Sequence, residues 1–177
     1  MLKHWPEGAQ RIIDARTVAQ ALDRQAERLE RRMGGEPALV LAVMTGGMYP
    51  AVELSRRLKL PLRLDYVHAT RYRGGTSGGE VDWVRKLDRL PMDRPVVLVD
   101  DIFDEGYTLE AIATHLLHLG VPELITAVLC RKMHDRGLPR DSVSDWALEV
   151  PDRYVFGCGM DYHGYWRQLD EIWALTD

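Results

Sequence analysis

The chain has 177 residues, of which 46% are hydrophobic and 28% charged, and its formal net charge is −4 at pH 7. This size and composition are those of a single globular domain with its own core. The acidic net charge gives no electrostatic reason to expect binding to nucleic acid or to a membrane surface. We expect no signal peptide and no membrane helix, since no run approaches roughly 18 apolar residues. The two cysteines show no metal-binding spacing, which favours a reducing, cytoplasmic environment.

Strands and helices are predicted to alternate along most of the chain. Continuous apolar runs without polar alternation are typical of buried parallel strands, and stretches of helical periodicity lie between them. The predicted strands cover residues 37–44, 62–69, 81–87, 95–101 and 124–130, and the predicted helices cover residues 15–33, 49–58 and 108–119. This rhythm indicates an α/β fold with right-handed crossovers and a parallel sheet.

Two regions depart from this alternation of strands and helices. Residues 71–79 are rich in glycine and small hydroxyl side chains and predict a long mobile loop. Such loops in compact domains often act as lids over a site. From about residue 133 onward, short strands at 145–149 and 154–159 and a turn of helix at 164–169 predict an appendage that covers the edge of the sheet.

The most informative stretch runs through the strand at 95–101 and reads Val97-Leu98-Val99-Asp100-Asp101-Ile102-Phe103-Asp104-Glu105-Gly106-Tyr107-Thr108. Open parallel sheets bind ligands just beyond the carboxyl ends of their strands. Paired carboxylates there can accept hydrogen bonds from ribose hydroxyls or hold Mg²⁺. The N–H groups of a turn that enters a helix, with a threonine hydroxyl, suit a phosphate. The alternative at this point is an exposed acidic turn that caps a helix.

An apolar strand followed by two acids, two apolar residues and Asp-x-Gly-x-Thr resembles the signature of the type I phosphoribosyltransferases. The resemblance covers roughly residue 10 to the end and is strongest to the hypoxanthine-guanine branch, whose marks appear at 150–157, 161–162 and 165–167. It implies a type I phosphoribosyltransferase fold, a Rossmann-like parallel sheet flanked by helices. The whole chain would be one such domain, with a small hood formed mainly by residues from about 133 to 177 and the N-terminal segment.

The resemblance also implies a reaction of purine salvage. Phosphoribosyl pyrophosphate (PRPP) and hypoxanthine or guanine would give IMP or GMP and pyrophosphate, with Mg²⁺ as cofactor, in a homodimer or homotetramer. Asp104 would be the general base that takes the proton from N7 of the purine. The other residues implied to bind the ribose phosphate of PRPP are Asp100, Asp101, Glu105, Gly106, Tyr107 and Thr108. Because a carboxylate repels phosphate, we expect the side chain of Glu105 to point outward.

Two further segments resemble the pyrophosphate-binding parts of the family. Met44-Thr45-Gly46-Gly47 resembles the pyrophosphate loop, with a threonine where many relatives have lysine. Relatives often carry a cis peptide bond there, which would join Met44 to Thr45. The loop at 71–79 corresponds to the family lid. The residues implied to contact pyrophosphate are Thr45, Gly46, Arg71, Tyr72 and Arg167, of which Tyr72 matches the family and Arg71 departs from it.

For the purine, the resemblance implies stacking on Tyr154 and recognition of the base edge by the backbone of Val155, with Asp161 close by. A cation is implied for the 6-oxo oxygen. It falls at Arg131 in an ungapped alignment and at Lys132 if the register slips by one residue, so both stay candidates. The implied metal ligands are Asp100 and Asp101, with Asp161 implied to hold a second Mg²⁺.

Two other functions remain open. A xanthine-guanine preference within the same family is one, although the tail sequence argues mildly against it. A regulator that uses the same fold to bind RNA is the other, since fold does not fix function. The net acidity and the presence of Asp104 argue against an RNA-binding role.

Overall fold

The structure, a computed structural model, describes residues 4–71 (of Arg71 the backbone only), 81–90 and 94–176. In chain order its elements are β1 (Gln10–Ile13), α1 (Ala15–Met33), β2 (Ala38–Val43), α2 (Met48–Ser55), β3 (Leu62–Arg71), β4 (Val81–Arg85), β5 (Val96–Phe103), α3 (Tyr107–His118), β6 (Leu124–Lys132), a short 3₁₀ turn (Arg140–Ser142), β7 (Asp145–Val150), β8 (Val155–Phe156) and β9 (Ile172–Ala174). None of the described helices is long and apolar enough to cross a membrane.

A six-stranded sheet in the order β4-β3-β2-β5-β6-β7 forms the centre of the protein. Its neighbouring strands are parallel except β3 and β4, which pair in antiparallel fashion. Every residue of β2 is buried, and so are the first four residues of β5. Both strands are covered on their two faces, which explains why their sequences show no polar alternation. The predicted parallel α/β fold is confirmed.

The helices cover the two faces of the sheet and divide the core. α1 and α2 pack on the face that presents Val40 and Val97, and α3 packs on the face that presents Leu41 and Leu98. α1 spans the residues predicted from periodicity. It begins after Asp14, whose carboxylate accepts the N–H of Thr17 at 2.8 Å, and ends at a left-handed glycine.

A second sheet of three strands, in the order β1-β9-β8, joins the two ends of the chain. Trp5 strengthens this junction, since its ring packs edge-on against Phe156, Trp166 and Trp173 with centroid distances of 5.5, 5.1 and 4.8 Å. β1 was not predicted, because four residues with partners at the far end of the chain carry too little local signal.

Two predictions for the tail need correction. The appendage does not begin at about residue 133, because β7 pairs in parallel with β6 and so extends the main sheet. The buried side chain of Gln25 and the guanidinium of Arg28, both on α1, bind Asp145 at the start of β7 and hold it there. Residues 164–169 form turns rather than helix, since Gly164 and Trp166 have φ of +85° and +72°, outside the helical region.

The contact between α1 and β7 gives a stability prediction. Asp145 accepts hydrogen bonds from Gln25 at 3.0 Å and from Arg28 at 2.8 Å, and its side chain is only 14% exposed. Asp145→Ala removes the carboxylate that pairs with Arg28, and leaves Gln25 and Arg28 only the backbone carbonyl oxygens of Val128 and Trp146 as acceptors. We therefore expect the free energy of unfolding to fall by about 2 kcal/mol. Urea denaturation measures this difference.

Asp23→Ala, on α1, is the control. Asp23 is 60% exposed and pairs with Arg57, which also binds Glu53. We expect this change to cost less than about 0.5 kcal/mol. Equal losses in the two variants would contradict the role given to Asp145.

Candidate active site

The acid pair lies at the carboxyl end of the central strand β5. Asp100 and Asp101 follow the four buried residues that begin the strand, and the N–H of Asp101 donates to the Asp100 carboxylate at 2.9 Å. Burial, followed by the negative charge of Asp101, raises the pKa of Asp100 well above its usual value. Burial also raises the pKa of Asp101, although Asp100 and Arg167 oppose that shift. Two shielded neighbouring carboxylates form a position that attracts a cation.

The glycine loop after β2 lies directly against this acid pair. A Cβ atom on Gly46 would lie 1.8 Å from Oδ2 of Asp101, and one on Gly47 would lie 2.4 Å from the carbonyl oxygen of Val99. Only glycine allows the loop to approach so closely. The peptide bond between Met44 and Thr45 is cis, as predicted.

The turn after the acid pair leads into α3. Gly106 has φ of +82°, and a Cβ atom there would lie 2.6 Å from the ring of Phe103, so the turn requires glycine. α3 begins at Tyr107 and contains Thr108 in its first turn. The first N–H groups of a helix lack partners within the helix and form its positive end, which suits a phosphate group.

Asp104 lies in the same turn and has two partners, one at the last residue of β6 and one just beyond that strand. Its Oδ2 is 2.9 Å from Nζ of Lys132, and its Oδ1 is 2.6 Å from Nε2 of His134. Burial raises the pKa of Asp104, but the hydrogen bonds with Lys132 and His134 outweigh this effect and leave the pKa below its usual value. The carboxylate is therefore ionised at neutral pH.

A cavity of about 190 Å³ lies between Asp104, the acid pair and the C-terminal residues 154–161. The hydroxyl of Tyr154 donates to the carbonyl oxygen of Asp161 at 3.0 Å, and half of the Tyr154 side chain stays exposed. The residues that line the cavity are Asp101, Ile102, Asp104, Lys132, Tyr154, Val155, Met160 and Asp161.

Of the two candidate cations, the structure brings only Lys132 into this cavity. Arg131 lies elsewhere: its guanidinium stacks on Trp146 at 3.4 Å from the ring centroid and binds Glu149 at 2.5 Å. The placement therefore favours Lys132 over Arg131 as the cation for the purine, and the contact itself stays a prediction. Successive side chains of a strand point to opposite faces, so the two neighbours cannot share one site.

Arg167 connects the tail to the acid pair. Its guanidinium is 2.6 Å from Asp161, 3.9 Å from Asp101 and 2.6 Å from the carbonyl oxygen of Gly159. Arg167 and Thr45, both predicted to contact pyrophosphate, line a second cavity of about 330 Å³. The prediction that these two residues belong together is consistent with this placement.

The predicted metal ligands lie in two places, Asp100 and Asp101 on β5 and Asp161 in the tail, and their binding of Mg²⁺ stays a prediction. The carboxylate of Asp161 is occupied by Arg167 and by the N–H of Gly164, and the described residues contain no group of three or more metal-binding side chains. Asp100 and Asp101 nevertheless fit Mg²⁺, which usually takes one or two protein carboxylates and completes its shell with water and substrate phosphates.

Some predicted residues are not described, and one site residue was missed. Tyr72 and the side chain of Arg71 lie outside the described residues, as does the predicted loop. The direction of the Glu105 side chain stays a prediction. His134 was not singled out from the sequence, although its position just beyond the carboxyl end of a central strand was a usable signal.

Known proteins resemble this chain over most of its length. The model of the phosphoribosyl transferase domain family matches residues 8–163. The hypoxanthine-guanine phosphoribosyltransferase of Aquifex aeolicus is 31% identical over 144 residues, 80% of this chain and 80% of the relative. The enzyme of the same name from Lactococcus lactis is 26% identical over 166 residues, 93% of this chain and 89% of the relative.

A solved structure shows the same fold. The crystal structure of a hypoxanthine-guanine phosphoribosyltransferase from Bacillus anthracis, with HEPES in the active site, has a TM-score of 0.87 and 25% sequence identity, and the match covers 94% of this chain and 98% of that one. These matches show that the chain belongs to the phosphoribosyltransferase domain family, in its hypoxanthine-guanine branch.

Proposed function

We propose that this protein is a hypoxanthine-guanine phosphoribosyltransferase of purine salvage, which transfers phosphoribosyl from PRPP to hypoxanthine or guanine. The observation that carries the proposal is one cavity in which an ionised Asp104, the Lys132 ammonium and the Tyr154 ring meet beside the acid pair. Membership of the hypoxanthine-guanine branch supports the choice of bases. A cytoplasmic homodimer or homotetramer belongs to the same proposal and is supported by the resemblance alone.

The sugar phosphate fits the edge of the sheet in three parts. The N-terminus of α3 with Thr108 would hold the 5′-phosphate, and the acid pair would accept hydrogen bonds from the ribose hydroxyls. The glycine loop and Arg167 would bind pyrophosphate, where a guanidinium offers a planar set of donors. Mg²⁺ held by Asp100 and Asp101 would neutralise negative charge on the departing pyrophosphate.

The purine would enter the cavity of about 190 Å³ and stack on the exposed ring of Tyr154. Its 6-oxo oxygen is an acceptor for Lys132, which in this structure binds Oδ2 of Asp104. A purine that draws Lys132 to itself would therefore free Oδ2 to accept the N7 proton. Because the pKa of Asp104 is lowered, the carboxylate is ready for this step at neutral pH. A lid that contains Tyr72 remains a prediction of the resemblance.

The first test is turnover by the purified protein with PRPP and Mg²⁺ and, separately, hypoxanthine, guanine, xanthine and adenine. We expect hypoxanthine and guanine to react, and Asp104→Asn to lower kcat by about 100-fold or more because it removes the base. Asp135→Asn is the matched control, since Asp135 is an exposed acid of the adjoining segment. Turnover of xanthine alone would move the specificity to the other branch, and binding of PRPP without turnover of any base would indicate a regulator.

The second test separates the two neighbouring cations. Lys132→Met removes a charge-assisted partner of Asp104, so we expect the pKa of Asp104 to rise, since burial then acts with less opposition. We also expect kcat/KM for the purine to fall by about 10- to 100-fold. Carbon-13 NMR of the carboxyl group measures the pKa, and initial rates measure kcat/KM.

Arg131→Met serves as the control for this test, because Arg131 lies against Trp146 and outside the cavity. We expect it to lower stability but to leave kcat/KM within about threefold. If Arg131→Met lowered kcat/KM for the purine as strongly as Lys132→Met, Arg131 rather than Lys132 would be the residue that contacts the purine.

A further inference from the structure

His134 has a defined protonation pattern in its contact with the proposed base. Only 6% of its side chain is exposed. Its Nε2 lies 2.6 Å from Oδ1 of Asp104, and its Nδ1 lies 3.1 Å from the backbone nitrogen of Arg136. A backbone N–H can only donate, so Nδ1 is the acceptor and carries no proton. In the neutral ring the proton is then on Nε2, which donates it to the Asp104 carboxylate.

The segment from His134 to Leu138 is fixed on both sides. The N–H of Leu138 donates to the carbonyl oxygen of Glu105 at 2.9 Å, and a Cβ atom on Gly137 would lie 2.4 Å from that oxygen. Arg136 forms two hydrogen bonds with Asp152, at 2.5 and 2.7 Å. The imidazole is thus held relative to the turn that contains Asp104.

The two partners of Asp104 differ in their freedom to leave it. Lys132 is one of the residues that line the cavity, so it can turn to a bound purine, whereas the lining of the cavity does not include His134. Among the described residues, His134 is then the side chain that still donates to the carboxylate after Lys132 has moved. A base that takes a proton from a defined atom needs its carboxylate held in one orientation.

We propose that His134 is a positioning residue for this reaction: its neutral Nε2–H holds Oδ1 of Asp104 and leaves Oδ2 to receive the purine proton. This inference rests on the proposed function. The N7–H bond breaks and an Oδ2–H bond forms. The electron pair stays in the purine, whose other imidazole nitrogen bonds to C1′ of the ribose as the bond from C1′ to pyrophosphate breaks. The imidazole neither gives nor takes a proton in this step: the purine proton goes to Oδ2, and Nδ1 stays an acceptor for the N–H of Arg136.

The kinetic test compares two replacements of His134. His134→Leu removes the donor with little change in volume, and we expect it to lower kcat by about tenfold or more while KM for the purine stays within about threefold. His134→Gln keeps an N–H donor at a similar reach, and we expect it to restore kcat to within about fivefold of the wild type. Arg136→Gln is the control, because it removes the ion pair with Asp152 but keeps the backbone N–H that binds the ring.

The Arg136→Gln control distinguishes two roles for His134: orienting the Asp104 carboxylate, or only stabilising the segment from His134 to Leu138. A loss of kcat in Arg136→Gln as large as that in His134→Leu, or a folded His134→Gln variant without recovery, would overturn the proposal. Unchanged kcat in His134→Leu would overturn it as well. Thermal unfolding of each variant identifies those that fold.

Nitrogen-15 NMR of the imidazole in the wild-type protein at pH 7 gives a readout that needs neither turnover nor a variant. We expect a neutral ring with the proton on Nε2, and a signal that shifts in Asp104→Asn. A ring protonated on Nδ1, or on both nitrogens, would overturn the proposal. Wild-type protein that turns over no purine would instead contradict the proposed function, so the two failures are distinguishable.

Discussion

The parallel pairing of β5 with a strand on each side is the constraint on which the candidate site depends. Val99 of β5 lies opposite Ala42 of β2 and Ala127 of β6, so the three strands end at the same edge of the sheet. The glycine loop, the acidic turn and the segment that begins at Lys132 therefore emerge side by side. Groups that are distant in sequence meet there. Gly46, Gly47 and Gly106 allow the close contacts that the loops make at this edge.

Charges at this edge are balanced unequally, and the imbalance indicates where ligands bind. Asp104 has Lys132 and His134 as partners, and Asp161 has Arg167 at 2.6 Å. The acid pair has a more distant cation, since the guanidinium of Arg167 is 3.9 Å from Asp101. Two adjacent carboxylates with such limited compensation raise the free energy of the unliganded site, and a bound cation would relieve it.

Local sequence signals predicted most of the fold and the acidic turn, but they did not predict which strands pair over long sequence distances. The apolar runs of β2 and β5 depend only on burial, so they could be identified from the residues themselves. β1 and the place of β7 in the main sheet depend on partners far along the chain. The choice between Arg131 and Lys132 turned on register, since a shift of one residue moves a side chain to the other face of a strand. His134 meets Asp104 through tertiary structure, and no local pattern marks that contact.

The two contacts of the Asp104 carboxylate differ in whether a substrate can replace them. The contact between Lys132 and Asp104 faces the cavity, where 41% of the Asp104 side chain is exposed. Because Lys132 lines the cavity, a substrate that offers an alternative acceptor there can take over its hydrogen bond without leaving the ammonium unpaired. His134 is enclosed and anchored through the segment that binds Asp152 and Glu105, so its contact does not compete with the substrate. A base held by one permanent donor and released by one mobile cation keeps its orientation while it becomes free to accept a proton.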